Sequence, residues 1–205
     1  MVNHLSLGVL AAAGWAAGGL ILLRTEVNAF GARTIHAPAA GDPAAGVRYA
    51  FTKAMSPGAK ESVREHLPSY VAGMLYHAGI FTALCLLVVV LCGFSLPGPV
   101  HLLSRSLLAL GAMGGLSLLL KRVFTKELRG LSHPDDFLAN LLTTIFVALA
   151  LAGPGTPWLL SAILLLLYVP LGKIRHCLFF FVARRHLGVF FGRRGVFPPG
   201  SHHVR

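Results

Sequence analysis

Two five-residue stretches, Gly73-Met74-Leu75-Tyr76-His77 and Gly172-Lys173-Ile174-Arg175-His176, each place a glycine four residues ahead of a histidine, within or at the edge of a long apolar run. In a helix that spacing puts glycine and histidine on one face, and the missing side chain would leave room for a flat group beside each imidazole. Ionisable side chains are costly at membrane depth, so such histidines mark function by default. One neutral imidazole from each of two helices can fill both axial positions of a haem iron, giving a six-coordinate, low-spin b-type centre. Lys173, Arg175 and Arg64 would then lie where haem propionates call for charge-assisted hydrogen bonds. For either histidine taken alone, a hydrogen bond to a helix carbonyl is the plainer alternative.

The elements that must position these residues follow from composition. Of 205 residues, 55% are hydrophobic and 12% charged, which excludes an ordinary soluble domain. Apolar runs near the roughly 20 residues needed to cross a bilayer occupy 5–23, 71–96, 102–120, 137–153 and 158–182. The expected fold is therefore all-α, an integral membrane bundle of five transmembrane helices. The second run leads into the third through SLPGPV and the fourth into the fifth through GPGTP, so each pair should form an antiparallel hairpin.

The net charge of +11 has a topological explanation that removes the need for a nucleic-acid partner. Arg24, Arg33, Arg48, Lys53, Lys60 and Arg64 follow the first run; Lys121, Arg122, Lys126 and Arg129 follow the third; Lys173, Arg175, Arg184, Arg185, Arg193 and Arg194 close the fifth. The turns on the other side carry neither Lys nor Arg, which puts the N-terminus outside and the C-terminus in the cytoplasm of a multi-pass inner-membrane protein. No basic residue precedes the first run, so that run reads as a retained anchor and not a signal peptide.

These boundaries give a membrane domain over 1–182, with a cytoplasmic loop at 24–66, and a basic tail over 183–205 that reads as disordered or partner-bound. HAPAAGDPAAG argues for irregular chain in the first half of the loop. Ser56 and Pro57 can start a short helix further on, and Pro68 restarts the chain into the second run. His133-Pro134-Asp135-Asp136 reads as the cap of the fourth run. Cys85, Cys92 and Cys177 form no cluster motif and read as buried, inert thiols. His66, the Ser69-Tyr70 pair, His101 and Arg105 are polar groups at the ends of runs, either interface anchors or partners of a quinone headgroup.

Beyond the residues themselves, LYHAGIF, LLALGAMGGLSLLLKRVF, DDFLANLLTTIFVALALAG and VPLGKIRHCLFF resemble the membrane cytochrome b family of the respiratory nitrate reductase gamma subunit and the heterodisulfide reductase membrane subunits. The resemblance implies a five-helix haem b subunit passing electrons between the quinone pool and an iron–sulfur partner docked on the cytoplasmic loop and tail. It implies that His77 and His176 are the ligands of the cytoplasm-side haem. Ligands of an outer haem would fall near Leu87 and Trp158, which cannot bind iron that way, so one haem is expected. A haem-free anchor or assembly subunit of a multi-subunit complex is the alternative.

Overall fold

A computed structural model describes residues 4–31, 36–59 and 61–200. They form nine α-helices and no strand: α1 (His4–Ala29), α2 (Pro43–Phe51), α3 (Glu61–Glu65), α4 (Leu67–Leu91), α5 (Gly98–Phe124), α6 (Lys126–Leu131), α7 (Pro134–Ala152), α8 (Thr156–Tyr168) and α9 (His176–Arg193). Arg33, Lys60 and the last stretch, 201–205, lie outside the described residues. Among those described, α1, α4, α5 and α7 are long and apolar enough to cross a membrane, and a fifth crossing results if α8 and Lys173–Arg193 count as one interrupted span. The chain divides into two compact units, Met1–Leu20 with Pro68–Ile174, and Ile21–Leu67 with Arg175–Arg205.

The first unit is built on a glycine-mediated hairpin. Helix α4 ends where Gly93 takes a φ of 72°, with Phe94 N–H bonded to Val89 O and Gly93 N–H to Val90 O, a stop that suits a residue without Cβ. The chain then returns as α5, started by Pro97 and Pro99. A methyl group on Gly111 would come within 2.6 Å of Gly79 Cα, and one on Gly114 within 2.7 Å of Ala72 O, so the two backbones touch directly. In an apolar solvent, close van der Waals contact of this kind is what holds helices together.

Gly115 opens a passage for Tyr76, whose ring would clash with any side chain there. Through it the Tyr76 hydroxyl reaches α7, lying 2.9 Å from Asn140 O and 2.9 Å from Thr144 Oγ1. The remaining core joins Ala83 and Leu87 of α4 to Leu108, Phe146, Val147, Trp158, Ala162 and Leu165, with Val9 from α1. Helix α7 is started by His133, whose N–H donates to Asp136 Oδ2 at 2.9 Å in a capping box.

The fifth apolar run is not one helix. Pro170 has no N–H to offer the preceding turn, and α8 stops at Tyr168. The first-unit part of α1 braces the break: Trp15 Nε1–H donates to Leu167 O at 3.0 Å, and Gly19 leaves space for Pro170.

In the second unit, Asp42 caps α2 by accepting from Ala44 N–H at 2.8 Å and Ala45 N–H at 3.1 Å. The loop expected over the first half of 24–66 therefore contains the start of a helix, because Asp42-Pro43 is a cap with proline at the first helical position. The helix expected after Ser56 is a 3-10 turn at Pro57–Ala59 followed by α3. Helix α9 runs on to Arg193, so the part of the expected tail over 183–193 is helical.

Replacing Gly111 by leucine should lower the thermal midpoint in detergent markedly, since backbone faces it and cannot turn aside; overpacking typically costs about 1–3 kcal/mol. Gly14→Ala, at a position with nothing within 4 Å, should leave the midpoint unchanged or slightly raised.

Candidate functional site

His77 does not face the core of its unit. The buried stripe of α4 is Tyr76, Gly79, Ala83 and Leu87, whereas His77 lies one residue around, on the exposed stripe of Met74, Phe81 and Val88. Its Nδ1 is 2.7 Å from Gly73 O, four residues back on the same helix. A carbonyl only accepts, so this nitrogen carries the proton, and the tautomer suits a histidine whose Nε2 has the electron pair. A methyl group on Gly73 would meet nothing within 4 Å, so the expected open face beside His77 is present.

The matching half is built differently. Gly172 and His176 do not share a helical face, because α8 has stopped, Lys173–Arg175 form a 3-10 turn, and His176 is the first residue of α9. The room left by Gly172 is taken by the Tyr168 ring, which a side chain at 172 would overlap. Lys173 bonds Asp136 Oδ2 at 2.6 Å, and Arg122 approaches the same carboxylate at 3.7 Å while donating to Ser132 Oγ at 2.9 Å. The face beside His77 is open, whereas the surroundings of Gly172 and Lys173 do not fit a flat iron-bearing group: an internal phenol and an internal carboxylate occupy what was expected to serve the cofactor. His176, Arg175, Arg64 and His66 belong to the second unit and are exposed; His77, Gly73, Gly172 and Lys173 belong to the first.

The residues expected at a quinone site separate into two ends of the α4–α5 hairpin. Ser69 and Tyr70 are at the start of α4, where Lys121 from the end of α5 donates to Ser69 Oγ. His101 and Arg105, one turn apart at the start of α5, are at the opposite end and line one cavity of about 180 Å³. Leu86, Val89, Val90 and Phe94 supply apolar walls, and Trp158 from α8 closes the cavity. The Trp158 side chain is 2% exposed and stacks on Phe146, yet its Nε1–H has no acceptor among the described residues. A buried donor left unmatched costs about 1–3 kcal/mol, and this one belongs to a residue of the cavity wall. Leu87 and Trp158, the positions marked by the missing outer ligands, are both in the core cluster beside this cavity.

Sequence reasoning passed over the indole N–H as a donor, because tryptophan in an apolar run reads as packing until its partner is sought. It also passed over the link from Tyr76 to Asn140 and Thr144, whose only signal was three polar residues at helical spacing along two apolar runs. The three cysteines, expected to be buried, are exposed: Cys85 and Cys177 lie on exposed faces of α4 and α9, and Cys92 lies in the turn that follows α4.

If Gly172 exists to seat Tyr168, then Gly172→Ala should destabilise the protein, and the penalty should largely vanish in a Tyr168→Ala background; a thermal-shift double-mutant cycle measures this coupling. Comparison with protein-family models, with curated proteins and with solved structures returned no match for this chain.

Proposed function

We propose that this chain is a multi-pass membrane subunit of a quinone-linked oxidoreductase complex, and that the cavity closed by Trp158 receives the quinone ring. The carrying observation is that His101 and Arg105 line one apolar pocket together with Trp158, a residue whose buried indole N–H has no acceptor among the described residues. Quinone carbonyls are acceptors and Arg105 offers donors to them, while Leu86, Val89, Val90, Phe94 and the Trp158 ring would pack on the headgroup. His101 is the group able to exchange a proton with a reduced headgroup. The volume is below the roughly 300–1,000 Å³ of pockets for drug-sized ligands, which suits a ring whose isoprenoid tail stays among lipid chains.

In this reading the chain is N-out and C-in, and its redox partner is an iron–sulfur subunit on the cytoplasmic side. A haem b held by His77 and His176 would supply one-electron chemistry, and its support is the open face between Gly73 and His77. The second reading, a haem-free anchor, is favoured by Tyr168 filling the space at Gly172 and by the Lys173–Asp136 pair.

A short-chain quinone added to the chain in nanodiscs should quench tryptophan fluorescence saturably. Trp158→Phe should remove the saturable part and Arg105→Leu should weaken it by about tenfold, the loss of one charged donor. Saturable quenching that persists unchanged in Trp158→Phe would exclude this cavity. A reduced-minus-oxidised spectrum of haem-loaded protein separates the two readings: a low-spin b-type signal abolished by His77→Ala or His176→Ala is expected of the first, and no signal of the anchor.

A further inference from the structure

We infer that α9, locked to α2 in the second unit, is a docking surface for the anionic headgroups of a phospholipid leaflet. This goes beyond the quinone reading and does not depend on it.

The two helices are held in backbone contact. A methyl group on Gly46 would lie 2.5 Å from Gly192 Cα, and one on Gly188 would lie 2.6 Å from Val47 Cα. Ala40 N–H and Gly41 N–H donate to Arg193 O at 2.8 and 3.1 Å, which ties down the end of α9. The helix stops there because Gly195, at a φ of 71°, turns the chain back so that Val196 N–H bonds Phe191 O. Tyr49 and Phe191 then sandwich Phe197, at centroid distances of 4.9 and 5.0 Å. The result is a short, closely packed helix pair.

Its charge is one-sided. From Arg175 to the end the sequence has six arginines and no acidic residue. The ion pair within this unit, Arg48 with Asp42 at 3.7 Å, leaves Arg184, Arg185, Arg193 and Arg194 without a carboxylate among the described residues. Arg193 Nε is buried and has no acceptor there.

Apolar groups interleave with these cations. Arg184 stands over the Phe180 ring and Arg194 over the Phe190 ring, each 5.7 Å from the centroid. Phe181, Leu187 and Phe190 are 60%, 46% and 39% exposed. A nucleic-acid duplex would match the arginines but not the exposed leucine and phenylalanines, a single strand would leave Leu187 uncovered, and an acidic protein face would leave the same apolar groups uncovered. A leaflet surface answers both, with phosphates for the guanidiniums and the upper acyl region for the rings. The C-terminal segment expected to meet a protein partner would instead lie against lipid.

The test compares hydrogen exchange of backbone amides over 176–194 in the full chain, in nanodiscs of phosphatidylcholine alone or mixed with phosphatidylglycerol. Phosphatidylglycerol should slow exchange there, and high salt should reverse the effect. Replacing Arg184, Arg185, Arg193 and Arg194 by glutamine should abolish it, each arginine contributing about fivefold in apparent lipid affinity. Lys126→Gln with Arg129→Gln, in the other unit, should leave it intact. Equal exchange of the unaltered chain in both nanodiscs overturns the proposal, whatever the variants do. Slowing by soluble polyglutamate and not by phosphatidylglycerol also overturns it, and assigns the surface to a protein.

Discussion

Direct contact between helix backbones is the constraint from which the rest of the first unit follows. Helices α4 and α5 approach until their backbones touch, and only glycine at 79 and 111 allows that approach. Once the two backbones touch, Tyr76 passes across Gly115 to α7, where its hydroxyl donates to Asn140 O and lies within hydrogen-bond distance of Thr144 Oγ1. The same contact brings the end of α4 beside the start of α5, which is where Leu86, Val89, His101 and Arg105 come to line one cavity. The second unit repeats the device at its α2–α9 contact through Gly46, Gly188 and Gly192.

Where helices stop, the exposed polar backbone must be answered from within the protein. Asp136 answers at the start of α7, accepting from His133 N–H while neutralising Lys173 and Arg122. One carboxylate thereby fixes the ends of α5, α7 and the chain after α8. It also accounts for Lys173, a cation that would otherwise invite an external anion. Against that background the buried indole N–H of Trp158 stands out in the first unit as a donor without an acceptor among the described residues.

Much of this architecture was legible in the residues. Apolar run length placed α1, α4, α5 and α7, and proline with glycine placed the turns after α4 and α7, because those signals are local. The interruption of the fifth run was marked by Pro170 yet read as part of one span, since hydropathy continues across it. The matched Gly-x-x-x-His spacings misled at one of two places: Gly73 does face open space, but the helix needed to set Gly172 beside His176 is absent. His101 with Arg105 was legible as polar residues at the end of an apolar run. The tryptophan that completes their cavity comes from more than fifty residues away, and such convergence is invisible before folding.

The bond from Trp15 to Leu167 spans 152 residues of sequence. Pro170 frees carbonyls near the end of α8, and a helix that emerges early supplies the donor that one of them lacks. Within the first unit the bundle is therefore closed between α1 and α8: the carbonyl that the end of α8 leaves open is answered only once α1 lies beside it.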